Sequence, residues 1–157
     1  MKMSVTRRVG IKLGLVAALA FLCVGSAVTQ DRELEPTFGS AKLKAGFSPD
    51  PYQKKLEAGG EIQTKLGGVT AWVAKAPDFK LYYEAGDFPL TIHVESAADT
   101  TLLINLPDGT WVADDDSGGM LNPLLKFAKP QSGRYDIWVG TIANKNAPAT
   151  LKITELK

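Results

Sequence analysis

An acidic stretch followed by two glycines is the part of the sequence whose residue types most clearly suggest chemistry. Three adjacent carboxylates repel one another unless water or a cation neutralises them. Calcium binds about six to eight oxygen atoms from carboxylates, amides and backbone carbonyls. The stretch therefore predicts a calcium site, with Asp108 as a weaker ligand. The candidate ligands are Asp114, Asp115, Asp116 and Asn122, joined by Asp99 from an earlier loop.

The same stretch also fits a loop exposed to water, because Asp, Ser and Gly are common turn residues. It is not an EF-hand, since the twelfth residue counted from Asp114 is Leu125, where that motif requires a bidentate Glu. Capping of a neighbouring element or protection of a sheet edge is a third role for such side chains. The sequence pattern leaves these interpretations open.

Two tryptophans are the other candidates for a binding surface. Period-2 alternation in a strand places Trp138 opposite Tyr135, Ile137 and Val139, on the face away from the predicted core, and Trp111 follows a turn. Exposed aromatic rings stack on sugars or pack against protein partners. Trp138 and Trp111 are therefore predicted to form a surface for a carbohydrate or a protein, with burial inside the fold as the alternative.

The groups that hydrolysis or metal catalysis would require are scarce. The whole chain has one histidine, His93, and one cysteine, Cys23. A serine hydrolase needs a nucleophile activated by a base, and no G-x-S-x-G turn is present. Zinc sites draw on several His or Cys ligands. We therefore predict a protein that is not an enzyme and requires no cofactor, with Ca²⁺ as an optional ion.

The first 27 residues have the order of a secretory signal peptide. A short basic region (1–12) precedes an apolar run (13–24), and small residues then allow cleavage after Ala27. An uncleaved membrane anchor is the alternative, but the run is shorter than the roughly 20 apolar residues that a span needs. Arg7 and Arg8 leave a twin-arginine route open. We predict a periplasmic or secreted protein with no membrane segment after cleavage.

Charge and composition narrow the class of partner. The chain carries 18 Lys and Arg against 17 Asp and Glu, and the first 27 positions contain basic residues but no acidic ones. The remainder is therefore mildly acidic, which argues against a nucleic-acid binder that relies on a basic patch. A hydrophobic content of 45% suits a packed core. We expect a monomer with a protein or carbohydrate partner and no nucleic acid.

Short strands account for the rest of the pattern. Runs of about four to eight residues recur between Gly, Pro, Asp and Asn, and Leu90, Ile92 and Val94 show the clearest alternation. Residues 28–51 are predicted as an extended lead-in from which Leu43 and Phe47 reach the core. We predict one all-β domain at 52–157, an antiparallel β-sandwich resembling a jelly roll. The predicted strands are 52–57, 62–66, 69–74, 79–84, 90–95, 100–106, 111–113, 124–127, 134–139 and 150–156.

The stretch 81–156 resembles the bacterial pre-peptidase C-terminal (PPC) domain. The resemblance implies a non-catalytic β-sandwich accessory domain of secreted bacterial proteins, which is often appended to peptidases and sometimes binds calcium. The sequence thus predicts an exported binding or interaction module; a serine-peptidase-type hydrolase and a purely structural envelope protein are the alternatives. The shared features, in order, are a glycine turn at 84–86, an alternating strand at 90–94, Asp99 before an apolar strand, the turn Pro107-Asp108-Gly109, the acidic loop, and the strand Gly133-x-Tyr135-x-Ile137-x-Val139.

Overall fold

The computed structural model describes residues 30–156, so the predicted signal peptide (1–27) lies outside the described residues. This range contains no helix that is long and apolar enough to cross a membrane. Its regular structure consists entirely of strands, which confirms the all-β prediction. The strands are β1 (Ser40–Lys44), β2 (Tyr52–Ala58), β3 (Ile62–Leu66), β4 (Val69–Val73), β5 (Phe79–Glu84), β6 (Leu90–Ser96), β7 (Thr100–Asn105), β8 (Trp111–Asp114), β9 (Leu124–Phe127), β10 (Gly133–Thr141) and β11 (Ala147–Thr154).

The strands form two sheets that face each other. In the first sheet, β10 pairs with β5 along one edge and with β7 along the other; β1 continues beyond β5, β8 continues beyond β7, and the β3–β4 hairpin joins the end of β10. The second sheet has the order β2-β11-β6-β9. Inward side chains from both sheets, among them Leu81, Ile137, Ile92 and Leu151, are fully buried in one core. This arrangement is the sandwich that short alternating strands favour.

The predicted lead-in contains a strand that the sequence pattern did not reveal. β1 pairs in parallel with β5, so the sandwich begins before residue 52 and is not purely antiparallel. The strand is short and carries only two apolar inward residues, Ala41 and Leu43, which gives a weak local signal. The expectation that Leu43 and Phe47 pack against the core is confirmed. The outward Lys42 and Lys44 occupy an edge strand, where charged side chains discourage pairing with another chain.

The predicted exposure of Trp138 is wrong. Tyr135, Ile137 and Val139 do face the core between the sheets, and Trp138 does face the other way, but its side chain is 0% exposed. A second apolar cluster covers it on the outer face of the first sheet. That cluster comprises Val69, Ala71 and Val73 of β4 with Leu103 and Trp138, and Leu66, Trp111 and Ala113 pack around it.

Trp138 is hidden because the β3–β4 hairpin packs on the outer face of the first sheet, so β10 has apolar neighbours on both sides. The half-buried ring of Trp111 lies against Trp138, with ring centroids 5.0 Å apart and planes tilted by 38°. The two tryptophans therefore form part of the packing between the hairpin and the sheet, and Trp138 offers no surface to a ligand.

Close approach of the hairpin depends on a glycine in β10. A Cβ atom added at Gly140 would lie 2.5 Å from Oγ1 of Thr101 and 2.7 Å from the carbonyl oxygen of Trp72. Both distances are well below van der Waals contact, and one neighbour is backbone. Gly140 therefore allows β4 to lie against β10 where Thr141 pairs with Trp72.

A buried carboxylate ties the two sheets together near the chain end. Glu155, which follows β11, accepts hydrogen bonds from the hydroxyl of Tyr83 in β5 and from the backbone N–H of Gly46 at 2.7 Å. Its own N–H donates to Oδ2 of Asp50 at 3.1 Å. These contacts connect the second sheet, the first sheet and the β1–β2 loop at one point.

A second buried carboxyl group predicts how stability depends on pH. Asp78 is 2% exposed, and its Oδ2 accepts a hydrogen bond of 2.7 Å from the N–H of Val139. Burial raises the pKa of Asp78 to about 7, and the Val139 bond opposes only part of this shift. Because the folded state holds this proton more tightly than the unfolded state, the group's favourable contribution is present below about pH 4 and is lost as pH rises through 7.

Replacing Asp78 by asparagine is therefore expected to stabilise the protein above pH 7. The amide keeps an oxygen for the Val139 N–H but carries no charge to bury. We expect a gain of about 1–3 kcal/mol at pH 8 and little gain near pH 4, measured by urea denaturation across that range. The matched control is Asp87→Asn in an exposed loop, which should leave the free energy of unfolding unchanged at both pH values. A gain that is the same at every pH would contradict the linkage.

Candidate functional site

Three loops converge at one end of the sandwich, and we call this surface the loop end: residues 97–99, 115–123 and 142–146. The N–H of Thr100 donates to the carbonyl of Leu121 at 3.2 Å, and the N–H of Ile142 donates to the carbonyl of Asp99 at 3.2 Å. These two bonds join the three loops side by side. The acidic stretch predicted from the sequence therefore lies beside Asp99, as the calcium hypothesis required.

Asp114 supports the loop from inside. Its carboxylate accepts hydrogen bonds from the N–H of Ser117 at 3.0 Å, the hydroxyl of Ser117 at 2.6 Å and the N–H of Leu124 at 2.9 Å. Asp114 is the last residue of β8 and Leu124 the first of β9, so one side chain connects both ends of the loop. Such a carboxylate satisfies backbone donors that would otherwise lack partners.

Asn122 also supports the loop by accepting internal hydrogen bonds. Its Oδ1 accepts from the N–H of Ser96 at 3.0 Å and from the hydroxyl of Thr100 at 3.4 Å, and its backbone carbonyl accepts from the N–H of Gly118 at 2.8 Å. The amide oxygen that the calcium hypothesis would use is thus already an acceptor for neighbouring strands.

Met120 and Leu121 form the tip of the loop and were not anticipated from the sequence. Gly119 and Asn122 form an isolated antiparallel bridge, and the two residues between them have φ values of 53° and 62°. Two-residue turns with both φ values positive usually contain Asn-Gly, whereas bulky residues rarely adopt this conformation. Met120 is 93% exposed and Leu121 53% exposed, so an apolar, strained tip projects into solvent.

Carboxylates flank this tip. Asp99 is half-buried; burial raises its pKa, and the negative charges of Asp116 and Asp115 raise it further. Its Oδ1 is buried and has no hydrogen-bond partner among residues 30–156. A cavity of about 250 Å³ lies here, and Asp99, Lys145 and Pro148 are among the residues that line it. The loop end therefore combines negative charge, exposed apolar side chains and a small depression.

Asp108 lies at the opposite end of the sandwich, in the β7–β8 turn. Its Oδ1 accepts from the N–H of Thr110 at 2.9 Å and its Oδ2 from the amide of Gln131 at 2.8 Å. The hydrogen bond from Gln131 and those from Thr110 lower the pKa of Asp108. The predicted hairpin at Pro107-Asp108-Gly109 is confirmed, and Asp108 stabilises that turn instead of joining the other predicted ligands.

The donor geometry favours the water-exposed loop over the calcium site. In the part of the chain that the structure describes, no three His, Cys, Asp or Glu side chains are arranged to hold a metal ion. The side-chain oxygens of Asp114 and Asn122 already accept internal hydrogen bonds. Calcium binding therefore stays an untested prediction.

Asp114→Ala is expected to lower the free energy of unfolding by about 1–3 kcal/mol, because it leaves the N–H groups of Ser117 and Leu124 without their acceptor. Asp116→Ala, at an exposed position of the same loop, is the matched control and should change stability by less than about 0.5 kcal/mol. We expect millimolar calcium to leave the melting temperatures of the unmodified protein and of both variants unchanged. A rise that Asp116→Ala abolishes would instead support a calcium site.

His93 occupies the outward face of β6, as predicted. It is half-buried, and this burial lowers its pKa, whereas the nearby Glu95 raises it. Its cross-strand neighbour Lys152 forms an ion pair with Glu95 at 2.5 Å. No hydroxyl among the described residues forms a hydrogen bond with His93.

No family model matches this chain. A search of curated proteins finds no match either. Among solved structures, the chain is similar to PliG of Aeromonas hydrophila, a periplasmic lysozyme inhibitor of g-type lysozyme, with a TM-score of 0.37 and 11% sequence identity over 74% of this chain and 96% of that one. A likeness of this size assigns no family. The resemblance to PPC domains stays a prediction.

Proposed function

We propose that this chain is an exported, non-catalytic binding module that contacts a protein partner through the loop end. The main support for this proposal is the exposed tip formed by Met120 and Leu121. These apolar side chains are held out in solvent on a backbone conformation that bulky residues avoid. Strain of this kind persists only where surrounding structure enforces it, and it is concentrated at functional sites.

The tip is anchored well enough to act as a preformed contact. The N–H of Asn122 donates to the carbonyl of Gly119 at 3.1 Å, and Leu121 and Asn122 are bonded to Thr100 and Ser96 at the start and end of neighbouring strands. A partner would therefore meet an ordered apolar projection and would not need to order it. In protein interfaces, binding energy is concentrated in a few side chains that become buried on association.

Ile142 extends the apolar surface beyond the tip. Its side chain is 40% exposed, and its N–H is bonded to Asp99, which lies beside Leu121 through Thr100. The exposed apolar residues Met120, Leu121 and Ile142 therefore all lie at the loop end. Upon association their apolar surface would be removed from water, which is favourable by about 25 cal/mol per Å².

Charge defines the kind of partner. Asp99, Asp115 and Asp116 place negative charge around the tip, and the pKa of Asp99 responds to both neighbours. A complementary surface would offer an apolar recess bordered by Lys or Arg side chains. Complementary charge accelerates encounter and is weakened by salt. We therefore expect a basic protein as the partner and a monomeric state before binding.

Site-specific crosslinking tests this proposal. A photoreactive benzoylphenylalanine at position 120 should give one discrete adduct in cells that produce the protein naturally, and the same group at Phe88 should not. Phe88 is the matched control because it is 51% exposed but lies in the β5–β6 loop, at the opposite end. Asp115→Lys combined with Asp116→Lys should reduce the adduct about tenfold through charge reversal.

A stability control accompanies the crosslinking. Met120→Ser should leave the melting temperature unchanged, because the side chain is 93% exposed, while weakening recovery of the partner. Equal adducts at positions 120 and 88, or an adduct that survives both charge reversals, would show that the loop end is not the contact surface.

A further inference from the structure

A second surface lies on the outer face of the first sheet, away from the loop end. It is a shallow groove of about 360 Å³ near the β1 edge. Strand register places Lys42 of β1 beside Tyr82 of β5, and Tyr82 beside Arg134 of β10. One aromatic ring therefore stands between two cationic side chains, in a row that crosses three adjacent strands.

Most charges along this groove are paired, and one cation is left over. Lys44 and Glu84 form an ion pair with a 2.8 Å separation, so they largely cancel each other. The Nε atom of Arg134 lies 3.0 Å from Oδ2 of Asp136, and its Nη2 atom lies 2.8 Å from Oε1 of Glu33. Its Nη1 atom takes part in neither contact. No ion pair involves Lys42 within residues 30–156. Lys42 is thus an uncompensated cation beside the ring.

The ring of Tyr82 at the centre of the groove is exposed because side chains alternate between the two faces of β5. Tyr83 points into the core and is 3% exposed, whereas the adjacent Tyr82 points outward and is 40% exposed. Leu43, Tyr83 and Gly133 also line the groove, but Leu43 and Tyr83 pack into the core, so Tyr82 supplies the exposed ring of this surface. An aromatic face with donors on both sides matches the apolar C–H face and the polar rim of a sugar ring.

We propose that this groove binds an anionic saccharide. The sugar ring stacks on Tyr82, and a carboxylate on that ring or its neighbour accepts hydrogen bonds from Nζ of Lys42 and from Nη1 of Arg134. Asp136 and Glu33 hold the guanidinium in place, which restricts its rotation before the ligand arrives. Planar guanidinium groups suit carboxylate recognition, since they donate from fixed positions.

The backbone of the groove floor explains why a saccharide is favoured over an acidic peptide. β5 lies between β1 and β10, so its N–H and C=O groups are used within the sheet beneath Tyr82. Only the outer edge of β1 keeps unpaired groups, and that edge lies beside this face and not on it. An extended peptide that binds by strand addition needs unpaired backbone groups, which a sheet face does not offer. Only side chains are presented here, and they consist of one ring and its flanking cations.

Titration with trigalacturonic acid tests the inference, with its trimethyl ester as the uncharged counterpart. In two-dimensional NMR of the isotope-labelled protein, the acid should shift the amide signals of Lys42, Tyr82 and Arg134, and the ester should bind about tenfold more weakly. Tyr82→Ala should reduce affinity for the acid about tenfold and Lys42→Gln about threefold to tenfold. Lys65→Gln is the matched control for charge, because Lys65 is an exposed lysine on β3 outside the groove.

Each outcome has one interpretation. Equal binding of acid and ester would overturn recognition of the anion, and equal shifts with a hexaglutamate peptide or with inorganic phosphate would overturn the requirement for a sugar ring. Absence of binding by the acid at millimolar concentration, or unchanged binding in Lys42→Gln, would overturn the site. If Tyr82→Ala does not fold, Tyr82→Leu removes the ring but keeps an apolar side chain, and the same loss is expected. Crosslinking at the loop end is independent of every one of these results.

Discussion

Trp138→Ala is expected to lower the free energy of unfolding by about 3–5 kcal/mol, the range for loss of a large aromatic side chain from a packed interior. Trp138 is 0% exposed and contacts the cluster formed by β4 and Leu103. Its removal leaves a cavity between the β3–β4 hairpin and the first sheet. Urea denaturation followed by far-ultraviolet circular dichroism measures the change without relying on tryptophan fluorescence.

Two variants show where the stabilisation originates. Trp111→Ala should cost only about 1–2 kcal/mol, because Trp111 is half-buried and stacks against Trp138 from one side. Trp138→Phe keeps a ring in place and removes an indole N–H that has no hydrogen-bond partner within residues 30–156, so it should cost less than the alanine variant. A cost below about 0.5 kcal/mol for Trp138→Ala would mean that the residue is exposed, as the alternation alone had suggested.

Asp136→Ala is expected to cost about 2–4 kcal/mol. Asp136 is 0% exposed, and its Oδ2 lies 3.1 Å from Nε of Arg32 and 3.0 Å from Nε of Arg134. Burial raises the pKa of Asp136 more than the two arginines lower it, which shows how much the charge depends on its partners. Removing the carboxylate leaves two guanidinium groups without their shared anion, and loss of one member of a buried ion pair is strongly destabilising.

The loss should be greatest in the N-terminal segment before β1. Arg32 attaches this segment to a buried group of β10, whereas Glu33 reaches β10 only through an exposed contact, so Asp136→Ala should increase amide hydrogen exchange of residues 30–38 as well as reduce global stability. Glu33→Ala is the matched control. Glu33 bonds to the same Arg134 at 2.8 Å, but its side chain is 73% exposed, so its loss should cost less than about 0.5 kcal/mol. Similar costs for the two variants would contradict a buried anchor at Asp136.

Strands with strong local patterns were predicted with the bounds that the structure has, as β3, β5 and β9 show. β10 extends to Thr141 and β11 begins at Ala147, beyond the predicted limits, because each pairs with strands on both of its edges and the partners continue the ladder. β1 was not predicted, since five residues with two inward apolar positions resemble any extended segment. Its strand character depends on β5, to which it is bonded in parallel.

The candidate site was predicted in part. The acidic stretch and Asp99 were expected to lie together, and the loop end brings them together through Thr100 and Leu121. The apolar tip was not expected, because Met120 and Leu121 lack the Asn-Gly signature of a turn with positive φ values. The groove at Tyr82 was also missed. Its members Lys42, Tyr82 and Arg134 are far apart in the chain, and only strand register makes them neighbours.

The amino-acid sequence by itself determined which residues alternate along each strand, where the turns interrupt the strands and therefore that the chain forms a β-sandwich. These properties depend on neighbours within a few positions. Only the tertiary structure decided what covers each face. Alternation places Trp138 away from the main core, but whether that face meets water or the β3–β4 hairpin depends on contacts between distant segments. The same physical reason applies to Asp114 and Asn122, whose oxygens could serve a cation or the backbone and are here occupied by the N–H groups of Ser117, Leu124 and Ser96.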